Sequence, residues 1–146
     1  MSNGEEREFV EALLKRNRYL VLSTTNGTDP WIAPLEYMID DELNFYFFST
    51  DDSRHVRDIA KNNKVAVAVF DRDQPEYGPD LSASLNGVQM EATVQRITPE
   101  EYNAAIVAAI EALNPPMPPY AVFRIQPNRF YIPKIEDGVN IRTEVR

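Results

Sequence analysis

The chain has 146 residues and carries 15 basic against 23 acidic side chains, a net charge of −8. That length fits one domain with a sizeable core, and that charge argues against a nucleic-acid-binding face. With no cysteine, one histidine (His55) and five widely spaced glycines, the composition excludes disulfides, thiolate chemistry, two-histidine metal sites, the GxGxxG turn and the NTPase phosphate loop.

No apolar run approaches the ~18 residues of a membrane helix, and the acidic first residues show no secretion signal. A soluble cytoplasmic domain over residues 1–146 is the expectation. Residues 5–16 read as a helix, with Phe9, Val10, Leu13 and Leu14 on one stripe. A β-rich run follows over 19–25, then Asn26-Gly27-Thr28-Asp29 as a hairpin turn, then a returning strand over 31–39. Pro34 inside that strand predicts a sheet edge or a bulge. After the turn at 40–42 comes a strand over 43–49, then a short helix over 53–61 capped by Asp52 or Ser53. Residues 65–70 form an apolar run that fits a strand buried on both faces.

Residues 71–79 read as a loop, and Asn86-Gly87 breaks the next segment so that the main strand covers 88–97. Thr98-Pro99-Glu100-Glu101 is a capping box expected to open a helix to about residue 113. A stiff proline connector over 114–119 leads to a strand pair, 120–126 and 129–135, turning at Pro127-Asn128, with residues 139–146 as a C-terminal tail. Hairpin connections dominate, so the fold class is mainly β: an antiparallel barrel of six to seven strands with about three helices.

The stretch from Phe45 to Arg57 carries the most chemical information. A strand delivers Ser49 and Thr50 to a helix start where Ser53, Arg54 and His55 follow. Backbone N–H groups at a helix N-terminus beside a guanidinium are a ready phosphate site. The plainer reading is a cap at Asp52 with Arg54, His55 and Arg57 in solvent.

Residues 47–59, FFSTDDSRHVRDI, resemble the flavin-binding split-barrel family that includes pyridoxamine 5′-phosphate oxidase, where Ser-Arg-Lys at a helix start holds the FMN phosphate. The approach to the strand over 62–70 and the long strand over 87–97 resemble the same family. The resemblance covers roughly residues 6–135. It implies a split β-barrel homodimer with FMN between the subunits and hydride or electron transfer to a small-molecule substrate. By the same likeness Arg54 grips the phosphate, His55 stands in the place of the family's Lys, and Ser49, Thr50 and Ser53 supply hydroxyls. Ile32, Ala33, Pro34 and Leu35 run along the flavin ring, and Asn86 and Gly87 stand where the family places a Gln near it. The C-terminal Arg-Leu-His segment of true pyridoxamine phosphate oxidases is missing, so vitamin B6 oxidation is not expected. Deazaflavin or FAD are alternative cofactors and haem a less favoured one. A non-enzymatic flavin carrier or an empty interaction module would also fit the same fold. Trp31 reads as packing rather than flavin stacking, and Glu36 and Glu91 as solvated rather than as an acid/base pair.

Overall fold

A computed structural model describes residues 1–76, 85–113 and 120–146. The elements are α1 (Asn3–Arg16), β1 (Tyr19–Thr25), β2 (Pro30–Glu36), β3 (Met38–Ile39), β4 (Phe45–Thr50), α2 (Arg54–Lys61), β5 (Lys64–Phe70), β6 (Gly87–Ile97), α3 (Ala104–Ala112), β7 (Tyr120–Glu136) and β8 (Val139–Val145). Every strand pairing is antiparallel, in the order β2-β1-β5-β6-β7-β4-β3, with β8 on β7. Only Tyr37 separates β2 from β3, yet β2 pairs with β1 at one end of that order and β3 with β4 at the other. One kinked segment therefore closes the sheet on itself, which makes it a split barrel flanked by helices.

Hairpin chemistry sets the first turns. Asn26 Oδ1 accepts from the N–H groups of Thr28 and Asp29, at 2.9 Å each, and Gly27 takes the positive φ of 100° that the turn requires. Leu20 and Leu22 on β1 alternate inward with Val65, Val67 and Val69 on β5, and α1 adds Val10, Leu13 and Leu14. Phe47 and Phe123 stack at 5.1 Å in the same core. The Tyr37 hydroxyl donates to the Leu14 carbonyl at 2.6 Å, tying α1 to the closing segment, and burial pushes that hydroxyl's pKa up. Pro34 lies on β2, the strand at one end of the sheet order, where a proline is tolerated.

Five expectations need correction. The single strand expected over 31–39 breaks at Tyr37 into β2 and β3, which pair with different neighbours. The strand over 65–70 is buried on one face alone: Ala66 and Phe70 are exposed. The capping box forms, with the Thr98 N–H donating to Glu101 Oε1, but it closes a 3-10 turn, Pro99–Glu101. Tyr102 then goes extended, and α3 starts afresh behind Asn103, whose side chain accepts from the Ile106 N–H at 2.8 Å. The expected strand pair at 120–135 is a single strand, β7. Ala92 faces Pro127 and Glu91 faces Arg129, so Asn128 is the extra residue of a bulge, where a proline is tolerated. The expected tail is β8. Asp137 (φ 50°) and Gly138 (φ 75°) make a two-residue hairpin loop between the paired Glu136 and Val139. The end of the expected loop at 77–79, the segment 80–84 and the proline connector at 114–119 lie outside the described residues.

Asp71 clamps the end of α1. Its carboxylate accepts from Arg16 Nε at 3.0 Å and Asn17 Nδ2 at 2.9 Å, and these contacts, Arg16 first, hold its pKa below the ordinary 3.8. Asp71→Asn should cost about 1 kcal/mol at pH 7. A depressed folded-state pKa contributes stability that is complete above the ordinary value and lost as pH falls through the lower one. In urea unfolding, wild type and variant should therefore differ at pH 7, and the difference should shrink as pH falls below the ordinary 3.8 of the carboxylate.

Candidate functional site

β4 carries an almost unbroken core row into a polar end: Phe45, Tyr46 and Phe47 are buried, and Ser49 and Thr50 follow. The chain then turns, with the Ser53 N–H donating to the Thr50 carbonyl at 3.2 Å and the Ser53 hydroxyl donating to the same oxygen at 2.8 Å. Ser53 occupies the N-cap position of α2, but its side chain makes no cap hydrogen bond to the helix. The first-turn N–H groups of α2 are thus left without a side-chain acceptor from the cap, unlike α1 and α3, where Ser2 and Asn103 supply one.

The two acids of the turn are each partnered. Asp51 Oδ1 lies 2.6 Å from Arg96 Nη1 on β6, and Asp52 Oδ1 accepts from the Thr50 hydroxyl at 2.6 Å. Ser49 Oγ lies 2.7 Å from His55 Nε2 and 3.1 Å from Ser53 Oγ. The imidazole is half-buried, tilted against Phe47 at 5.9 Å. Burial lowers its pKa from 6.5, partly countered by Asp58, so it is neutral at pH 7 and above.

Arg54 is held from two sides. Its guanidinium lies over the Trp31 ring, 4.3 Å from the centroid, and its Nε is 3.9 Å from Asp58 Oδ2. Asp58 is itself buried and accepts from the Thr24 hydroxyl at 3.0 Å. Thr24 pairs with Trp31 across the β1–β2 hairpin, so both residues face the helix together. The result is a pre-set cation beside uncapped helix N–H groups and two hydroxyls, an arrangement that fits a phosphate monoester.

Ser49, Thr50, Ser53, Arg54 and His55 are thus brought into one turn. Ile32, Ala33, Pro34 and Leu35 follow Trp31 along β2, with Ala33 turned into the core and Ile32 fully on the outside. Asn86 and Gly87 are not brought to this turn. They sit at the start of β6, next to Asp71 and Phe70, while Arg96 at the other end of β6 reaches Asp51. Gly87 and Arg96 are nine residues apart along that strand, roughly 30 Å at ~3.3 Å per residue. Glu36 and Glu91 stay apart, on Arg18 and Tyr131 respectively. Thr24 and Asp58 are the residues that sequence reasoning missed; the i,i+4 spacing of Arg54 and Asp58 is the signal that points to the latter. Among the described residues no cluster of His, Asp and Glu could hold a metal ion, and no helix is long and apolar enough to cross a membrane.

Comparison with known proteins agrees with this architecture. The family model described as pyridoxamine 5′-phosphate oxidase matches residues 7–132. Among curated proteins none matches the sequence. Of solved structures, a putative pyridoxamine 5′-phosphate oxidase from Listeria innocua superimposes with a TM-score of 0.68 at 18% identity, over 86% of this chain and 95% of that one. An F420 reductase matches at 0.59 and 24% identity, over 82% and 94%. HutZ, the heme storage protein of Vibrio cholerae, matches at 0.62 and 13% identity, over 84% and 91%. At such identities these structures share the fold.

Proposed function

Because the chain belongs to the pyridoxamine 5′-phosphate oxidase family, we propose that it is an FMN-binding oxidoreductase, acting as a homodimer with the flavin between its subunits. The observation that carries this reading is Arg54, fixed over Trp31 and beside Asp58 at the uncapped start of α2. A phosphate would take charge-assisted hydrogen bonds from Arg54, backbone N–H groups from the first turn of α2, and hydroxyl contacts from Ser49, and from Thr50 and Ser53 once these turn away from Asp52 Oδ1 and the Thr50 carbonyl, to which they donate here. Ile32 to Leu35 would line the ring. When bound, the flavin supplies hydride and electron transfer; this chain anchors, orients and limits solvent. No side-chain nucleophile is needed, which suits a chain with no cysteine.

The exposed sheet face supports the dimer. Ile32, Ala66 and Phe70 lie on the outer side of β2, β1 and β5, where register puts Ser23 opposite both Ile32 and Ala66. Small and apolar side chains on an exposed face suit burial against a second copy. Asn86 and Gly87, remote from their own chain's anchor, would contact a flavin only in the partner's site. Haem is not proposed, since the one imidazole has its Nε2 engaged by Ser49 and stands at the phosphate anchor.

The test is the visible spectrum of the purified protein before and after FMN is added and the excess removed, with retained flavin absorbance expected. A deazaflavin spectrum would keep the anchor and change the cofactor, and a colourless protein that takes up nothing would overturn the reading. His55→Lys adds a graded check. The imidazole is uncharged at pH 8 and gains charge only below its lowered pKa, whereas lysine is charged throughout. The variant should therefore bind FMN more tightly than wild type by a larger factor at pH 8 than at pH 6; comparing the two proteins cancels the phosphate's own titration.

A further inference from the structure

The flank of α2 turned away from Trp31 closes over a second cleft, about 400 Å³ in volume, whose other walls are β6 and β7. Its floor is apolar, made by buried Val56 and Ile59 of α2 and buried Val94 and Phe123 of the barrel wall. Its rim is cationic, formed by Arg57 and Arg96, with Asp51 on Arg96. Arg57 has no carboxylate within ion-pair distance among the described residues. Arg96 is paired with Asp51, but both side chains are more than half exposed, at 58% and 63%. Such a pair is worth little, so a competing anion can displace the acid at small cost.

We propose that this cleft is a binding site for a small anion with an apolar body, a carboxylate or phosphate monoester on an aromatic or aliphatic group. The volume lies at the lower end of the range of ligand pockets. The floor takes the apolar body, and two guanidiniums at the rim match a carboxylate or phosphate head with paired N–H donors. In a chain of net charge −8, an apolar hollow flanked by two cations and one acid is a local reversal of sign. The site is separate from the proposed flavin anchor: Arg54 and Asp58 face β1 and β2 from one side of α2, while Arg57, Ile59 and Ala60 face this cleft from the other. It stands whether or not flavin binds.

The test is a backbone-amide NMR titration of the full-length protein with phenyl phosphate, 3-phenylpropionate and the uncharged 3-phenylpropan-1-ol. Both anions should shift the amides of Arg57, Val94, Arg96 and Phe123 in a saturable way, the tighter of the two assigning the head group. The alcohol should bind at least about tenfold more weakly. Arg57→Ala and Arg96→Ala should each weaken anion binding about tenfold. Asp51→Asn should tighten it severalfold by releasing Arg96, an effect that a merely structural ion pair would not produce. Absence of saturable shifts at these amides, equal binding of the alcohol, or shifts confined to the Ser49–His55 turn would each overturn the proposal.

Discussion

Arg54→Ala should weaken FMN binding ten- to a hundredfold, about 1.5–3 kcal/mol for a charge-assisted contact, together with some loss of fold stability, because buried Asp58 loses the cation 3.9 Å away. The side chain is 39% exposed and packs on an indole rather than in the core. Removing it takes away the cation that the phosphate would meet, and leaves Asp58 still bonded to Thr24. Arg54→Lys should recover only part of the loss. An ammonium keeps the charge but lacks the planar fork, and it stacks less well on Trp31. Trp31→Leu should fall between wild type and Arg54→Ala, because the guanidinium keeps Asp58 but loses its platform. Flavin-fluorescence titrations of the four proteins, with thermal melts alongside, decide the matter. Equal affinities among the folded proteins would remove the phosphate from this turn.

The Ser49–His55 turn is readable from sequence because its members are contiguous: a strand ending in hydroxyls runs straight into a helix start. Thr24, Trp31 and Asp58 are not, since they meet only once α2 lies across the β1–β2 hairpin. The same division holds for the fold. α1, α2 and the strands up to β6 follow from apolar periodicity and turn chemistry that are local, except that the break at Tyr37 dividing β2 from β3 leaves no such mark. Pro127-Asn128 carries local turn chemistry too, but its neighbour β6 absorbs it as a bulge, so a long strand results where a hairpin is expected. β8 is hidden for the opposite reason. Asp137-Gly138 is strong hairpin chemistry, but the residues after it alternate faintly: Val139 and Asn140 are exposed and only Val145 is buried. Pairing with β7, rather than its own pattern, makes it a strand.

Glu6 shows the limit of periodicity most sharply, and it carries the largest expected effect on stability. On α1 it stands among Glu5, Arg7 and Glu8, a run that reads as a solvated face. In the fold it is 4% exposed, and its Oε1 pairs with Lys134 Nζ on β7. The acid is out of water and the base mostly so, its side chain 21% exposed. Glu6→Ala would leave the ammonium without its partner. Breaking fully buried pairs costs about 3–5 kcal/mol, and the partial exposure of Lys134 lets water recover some of that, so about 2–3 kcal/mol is expected. Glu6→Gln should cost less, because the amide oxygen still accepts from Lys134. Replacing both residues, as Glu6→Gln with Lys134→Met, should restore most of the loss, since no charge is then stranded. Urea unfolding at pH 7 should show the midpoint falling for Glu6→Ala with an unchanged slope. Lys134 lies near the far end of β7 from Ala121, which pairs with Ser49. The folded fraction of Glu6→Ala should therefore bind FMN as wild type does, and a matching loss of affinity would mean that α1 and the anchor are coupled through the barrel.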